Sequence, residues 1–148
     1  MTVTDTSPLI KTRRLACSAD HAFDVFVERM ADWWPLVPHS VFQAGSRGVV
    51  VHPRVGGRIV ETGPGGEESV WGTLTDWEPR RRLAFTWHPG ADAGSATWVQ
   101  VTFAPDGDGS VLTLSHEGWE RPGVVSTRAG YDEGWPLVLD AYVGRVIR

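Results

Sequence analysis

From Leu83 to Glu117 the chain alternates apolar and polar residues with a period of two. Leu83, Phe85 and Trp87 alternate with Ala84, Thr86 and His88, and Val99, Val101 and Phe103 with Gln100 and Thr102. After the turn signal Asp106-Gly107-Asp108-Gly109, Leu112, Leu114 and His116 alternate with Thr113, Ser115 and Glu117. Period-two runs joined by turn residues predict an antiparallel sheet with one buried face. Further strands are predicted at residues 9–17, 49–52, 58–62 and 69–77, the last three separated by Arg54-Val55-Gly56-Gly57 and Gly63-Pro64-Gly65-Gly66.

Two stretches break this period. Ser18 is placed to cap a helix with Ala22, Phe23, Phe26, Val27 and Met30 on one side and Asp20, Asp24 and Glu28 largely on the other. Asp32-Trp33-Trp34-Pro35 ends it, because a residue before proline avoids helical backbone. Residues 36–48, with Pro38, Gly45 and Gly48, read as a loop long enough to act as a lid. Residues 125–147 return to helical spacing through Tyr131, Trp135, Val138, Leu139, Tyr142, Val143 and Val146. Pro136 removes an amide bond to Asp132, and Gly130 and Gly134 weaken the helix further. A bend is predicted there, either wrapping the helix around a twisted sheet or gating a cavity beneath it. A sheet with one buried face needs a covering layer, and this last helix is the only long apolar one available. The order of elements predicts an α+β fold.

The 148 residues fit one domain spanning 1–148. With 41% hydrophobic and 22% charged residues the chain is globular in composition, which excludes disorder. A net charge of −4 argues against nucleic acid as a partner, and Arg80, Arg81 and Arg82 read as a solvated hairpin turn. Cys17 stands alone, so no internal disulfide or thiolate zinc site is expected and a reducing compartment fits. Residues 1–8 show no signal-peptide pattern and no apolar run reaches bilayer length, so a soluble, cytoplasmic protein with no membrane partner is expected. The unusual feature is eight tryptophans. Trp joins a large apolar body to an N–H that needs a partner, which suits cavity walls and interfaces as well as cores.

Motifs for chemistry are missing. No two of the five histidines have close ligand spacing, and His116-Glu117-Gly118-Trp119-Glu120 lacks the second histidine of a zinc-protease helix. Asp106, Asp108, Ser110 and Glu117 mimic a calcium loop, but Val111 stands where its glycine must be. No nucleophile elbow or phosphate loop occurs. No metal, cofactor or catalytic residue is therefore expected. Alternation turns His116 inward, as a hydrogen-bonded core histidine or as a polar group in a pocket. Glu61 reads as a solvated strand carboxylate, and Trp87 as either core or cavity wall. Trp98 and Trp119 fall on the sheet's outer face.

Several pieces together carry a family resemblance along nearly the whole chain. They are Asp32-Trp33-Trp34-Pro35, Val55-Gly56-Gly57-Arg58, Trp71-Gly72 with Trp77-Glu78-Pro79, residues 82–87 (Arg-Leu-Ala-Phe-Thr-Trp) and residues 130–136 (Gly-Tyr-Asp-Glu-Gly-Trp-Pro). In this order and spacing the chain resembles the START-like, or SRPBCC, helix-grip superfamily, in the branch named for homologues of the chaperone-ATPase activator. The resemblance implies a helix-grip fold: a curved antiparallel sheet wrapped around a long C-terminal helix, short helices after the first strand, and an apolar cavity between sheet and helix.

Members of that superfamily differ in function, so the fold alone does not decide it. With the tryptophan surplus and the kink-prone helix, the resemblance implies a module that binds a hydrophobic small molecule: a lipid, polyketide or aromatic metabolite. The residues expected around it are Trp34, Phe42, Ile59, Trp71, Phe85 and Trp87 from the lid side and the sheet. Val101 and His116 join them from later strands, and Tyr131, Trp135 and Leu139 from the last helix. Three alternatives stay open. The Trp-Trp-Pro, Gly-Gly-Arg and Gly-Trp-Pro pieces are also similar to actinobacterial self-resistance proteins that bind enediyne antibiotics. An aromatic cyclase would draw on His116 or Tyr131 as acid or base. A co-chaperone-type interaction protein would need an exposed apolar patch, and Trp98 and Trp119 are its candidates, with a homodimer favoured over a chaperone complex.

Overall fold

The computed structural model describes residues 5–147. Its strands are β1 (Leu9–Leu15), β2 (Gly48–Val51), β3 (Arg58–Thr62), β4 (Glu68–Glu78), β5 (Arg82–Trp87), β6 (Thr97–Asp106) and β7 (Gly109–Glu117). They form one antiparallel sheet in the order β1-β7-β6-β5-β4-β3-β2, curled as a half-barrel. Helices α1 (Ala19–Glu28) and α2 (Met30–Trp33) follow β1, and the long α3 (Arg128–Val146) closes the chain. The architecture is the α+β helix-grip arrangement expected above.

Alternation decides which side of the sheet is buried. Val99 lies opposite His116, Val101 opposite Leu114 and Phe103 opposite Leu112, and all six are at most 1% exposed. The turn joining β6 and β7 puts Gly107 at φ +58°, where a side chain would be strained. Trp135, Val138, Leu139, Tyr142 and Val146 of α3 are buried in the same core. The Ser18 hydroxyl accepts from the His21 N–H at 3.1 Å and so starts α1. The first helix is shorter than its apolar pattern suggested: the chain leaves helical geometry at Arg29, and Met30 opens α2. Trp34 is extended before Pro35, as the proline requires.

Pro136 sits inside α3, where it has no N–H to offer the Asp132 carbonyl, and α3 runs on through it. Arg80 and Arg81 are exposed at the β4–β5 turn, as expected, whereas Arg82 opens β5 and is half-buried, and none of the three is unpaired. Arg80 faces Asp20 and Asp24, Arg81 faces Asp20, and Arg82 of β5 joins Asp76 and Glu78. Exposed pairs of this kind contribute little stability. Among the described residues, no helix is long and apolar enough to cross a membrane.

One outward placement is corrected. Trp119 is fully buried. β7 ends at Glu117 and Gly118 takes φ +99°, so strand alternation stops before Trp119 and the indole turns inward. There it lies 4.3 Å from the His116 ring and donates to the His116 carbonyl at 2.9 Å. Trp98 keeps its outer-face position, partly exposed, with its N–H on Thr75 Oγ1 at 3.1 Å.

Candidate functional site

A pocket of about 540 Å³ lies between the lid loop, strands β4 and β5 and the N-terminal half of α3. Four indoles build its inner wall: Trp34 before the lid, Trp71 on β4, Trp87 on β5 and Trp135 on α3. They pack on one another, with Trp34 5.1 Å from Trp71, 5.8 Å from Trp87 and 5.9 Å from Trp135 between ring centres. The mouth carries residues that are themselves exposed, among them Val41, Gly90, Ser126 and Gly130.

Each of those indole N–H groups is already used inside the protein. Trp34 donates to the His39 carbonyl at 2.7 Å, Trp71 to Glu61 at 3.1 Å, Trp87 to the Tyr131 hydroxyl at 3.2 Å and Trp135 to His116 Nδ1 at 2.9 Å. The cage therefore offers a ligand ring faces and edges rather than indole donors. Polar character comes from the remaining lining: His39, Ser40, Ser126, Thr127 and the Tyr131 hydroxyl. Among the described residues, no Lys, Arg, Asp or Glu lines the pocket.

Glu61 is the residue that the strand pattern misjudged. It is fully buried, not solvated. β3 is covered where the lid folds over it, and the carboxylate accepts from the Val41 N–H at 2.9 Å, the Phe42 N–H at 3.2 Å and the Trp71 indole. Burial alone pushes its carboxyl up, but hydrogen bonds from Ser46, Val41, Phe42 and Ser40 outweigh burial and hold it below the ordinary value. Glu61 thus pins the lid to the wall of the pocket. A single acidic residue in a strand carries no sequence signal for this, because most of its donors belong to a distant loop.

His116 lies behind the wall, not in the pocket. It is fully buried and absent from the lining. Since Nδ1 accepts from Trp135, Nε2 carries the proton and donates to Thr97 Oγ1 at 2.7 Å, and Thr97 in turn donates to the Trp87 carbonyl at 3.3 Å. Burial lowers its pKa to about 3, so it is neutral. This is a satisfied core histidine. Tyr131 is different: it lines the pocket, half-buried, and burial pushes its hydroxyl above the ordinary value, against the Trp87 donation that lowers it.

The expected residues thus divide. Trp34, Trp71, Trp87, Tyr131 and Trp135 are brought together around the pocket. Ile59, Phe85, Val101 and Leu139 lie deeper, in the packed core. Phe42 turns its ring onto Gly63 at the β3–β4 turn. His39 and Ser40 also line the pocket, as do Gly130 and Gly134, which the sequence marks as helix-weakening positions but not as site residues. For α3 the signal was present: Thr127, Gly130, Tyr131, Gly134, Trp135 and Val138 recur at three- and four-residue spacing and form one helix face.

The family model described as "Activator of Hsp90 ATPase homolog 1-like protein" matches residues 16–143. The chain belongs to that family. No curated protein matches it in sequence. Among solved structures, the anthrahydroquino-γ-pyrone synthase Txn09 is 35% identical to this family member, over 78% of this chain and 79% of that one, with a TM-score of 0.56. DynU16, from the dynemicin biosynthetic locus, is 18% identical over 94% of this chain and 46% of its own, with a TM-score of 0.69. The Aha1 dimer from Colwellia psychrerythraea is 11% identical over 90% of each chain, with a TM-score of 0.66. The last two likenesses show the fold alone. This member of the family has an SRPBCC-type fold.

Proposed function

We propose that this chain binds a hydrophobic, ring-bearing small molecule of the polyketide or aromatic-metabolite kind in the pocket beneath the lid. The observation that carries this reading is the indole cage with its N–H groups already satisfied, facing a cavity of about 540 Å³. That volume falls within the range of small-molecule sites, and apolar walls with few polar groups are their usual chemistry. Txn09, named as a synthase of an anthrahydroquino-γ-pyrone, supports an aromatic occupant. A screen of lipids, polyketides and aromatic antibiotics, read by tryptophan fluorescence and thermal shift, tests it. Saturable quenching with a raised melting temperature is expected for aromatic compounds. No response from any of them would overturn the reading.

The same relative favours one second reading, a cyclase-like enzyme. His116 is sealed, which leaves Tyr131 as the candidate of the two for proton transfer. Turnover of an aromatic polyketide by the wild type but not by Tyr131→Phe would support an enzyme. Self-resistance against an enediyne and a homodimer have thinner support: the dynemicin locus of DynU16 for the first, and the dimeric Aha1 for the second.

A further inference from the structure

α3 faces the pocket with two glycines, one turn apart. Neither is there for want of space. A Cβ at Gly130 meets nothing within 4 Å, and one at Gly134 meets only His39 Cε1 at 3.9 Å. Neither takes the left-handed backbone that excludes a side chain. Glycine inside a helix weakens it, so two on one face of a helix that already contains Pro136 are a liability for folding. Both line the cavity, Gly130 at its exposed mouth and Gly134 one turn further along the helix, beside His39.

Between them stands Tyr131. Its oxygen accepts the Trp87 indole N–H, which orients the phenol, and among the described residues its own proton has no acceptor. A hydrogen-bond donor fixed at a pocket wall selects an acceptor atom on what binds. Among the described residues no Lys, Arg, Asp or Glu lines the pocket, so a charged occupant loses its hydration with no ammonium, guanidinium or carboxylate to meet it.

We propose that the occupant is an uncharged flat ring system that lies against the α3 backbone at Gly130 and Gly134 and accepts a hydrogen bond from Tyr131, the two glycines setting the size it can have. The proposal rests on the reading above that the pocket binds a small molecule, and adds which face holds it and what chemistry it carries.

The test uses the full chain with 1,8-dihydroxyanthraquinone as neutral probe and anthraquinone-2-sulfonate as its charged counterpart. Binding is followed by quenching of the tryptophans, and melting temperature is measured on each variant. Gly134→Leu and Gly130→Leu are expected to lose at least about tenfold in affinity for the neutral probe, and Tyr131→Phe about tenfold, as for one lost hydrogen bond. Gly134→Ala, whose added methyl is accommodated, is expected to melt about 2–4 °C higher while binding more weakly than the wild type. It keeps the test informative should the leucine variants not fold. The sulfonate is expected to bind more weakly than the neutral probe throughout. Wild-type binding that survives unchanged in the glycine variants or in Tyr131→Phe, or equal binding of the sulfonate, overturns the proposal and leaves the pocket reading standing. Absence of binding by every compound of the wider screen, with the wild type folded, overturns the pocket reading and this proposal with it.

Discussion

The Trp135 indole donates to Nδ1 of His116 at 2.9 Å, and this bond ties the pocket wall to a neutral histidine in the core. A protonated His116 would turn a second N–H towards Trp135 and lose that bond. Burial lowers its folded pKa from 6.5 to about 3. Between those values the unfolded chain binds the extra proton and the native chain does not, so stability rises with pH there. The contribution is complete above about pH 6.5 and is lost as pH falls towards 3. At pH 5 the loss relative to the plateau above pH 6.5 is about 2 kcal/mol. Urea titrations across that range measure it. The slope should flatten in His116→Gln, whose amide keeps one acceptor and one donor, and an unchanged slope would place the effect elsewhere.

How far the amino-acid sequence specifies each feature follows the range of the interactions involved. Sheet, helix and their order were legible because periodicity is local: Leu112, Leu114 and His116 face inward as alternation requires. Trp119 was misplaced because Gly118, not the strand, sets its direction. The tryptophans of the pocket could be picked out by type, but not separated from the core aromatics. Trp87 and Phe85 lie on one strand face, and only the fold puts the first at the cavity and the second behind it. Glu61 was illegible for the opposite reason, since the backbone donors that tie it to the lid, Val41 and Phe42, lie about twenty residues away in a loop without pattern.

Glu61 gives the second prediction. Glu61→Gln retains the shape but replaces one acceptor oxygen with an NH₂ that faces donors. A loss of about 1.5–3 kcal/mol is expected, the range for hydrogen bonds to a charged group. Amide exchange at Val41 and Phe42 should accelerate more than exchange in β6 and β7. Because the folded carboxyl is held below its usual value, its stabilisation is present above about pH 4.5 and disappears as pH falls through the lowered value. Equal protection of both amides in the variant and the wild type would show that the lid is held by something else.

Trp87→Ala removes a ring that is 4% exposed, packs against Trp34, Trp71 and Trp135, and holds the Tyr131 hydroxyl. Full burial in a solid core places such a truncation at about 3–5 kcal/mol. One side of this ring already faces a cavity, so the lower end, about 3 kcal/mol, is expected. Trp87→Phe should cost less, while removing the N–H that orients Tyr131. Denaturant midpoints of the two variants decide the ranking, and a Phe variant as unstable as Ala would contradict it.

Gly72 supplies the sharpest steric prediction. It lies on β4 directly after Trp71, where β4 and β5 approach so closely that an added Cβ would fall 1.7 Å from the Thr86 carbonyl oxygen. No side-chain rotation relieves this, because the obstacle is backbone. In Gly72→Ala the two strands must separate locally. The His88 N–H bond to the Trp71 carbonyl, 2.6 Å long, is the first to be strained. These strands carry Trp71 and Trp87, so the same separation pulls the pocket wall apart. A destabilisation of at least about 3 kcal/mol is expected, in the class of backbone clashes rather than of surface changes. The tryptophan emission should shift to the red as the indoles gain water. A variant with the wild-type urea midpoint and emission would mean that β4 and β5 can part freely, against the geometry that positions the cage.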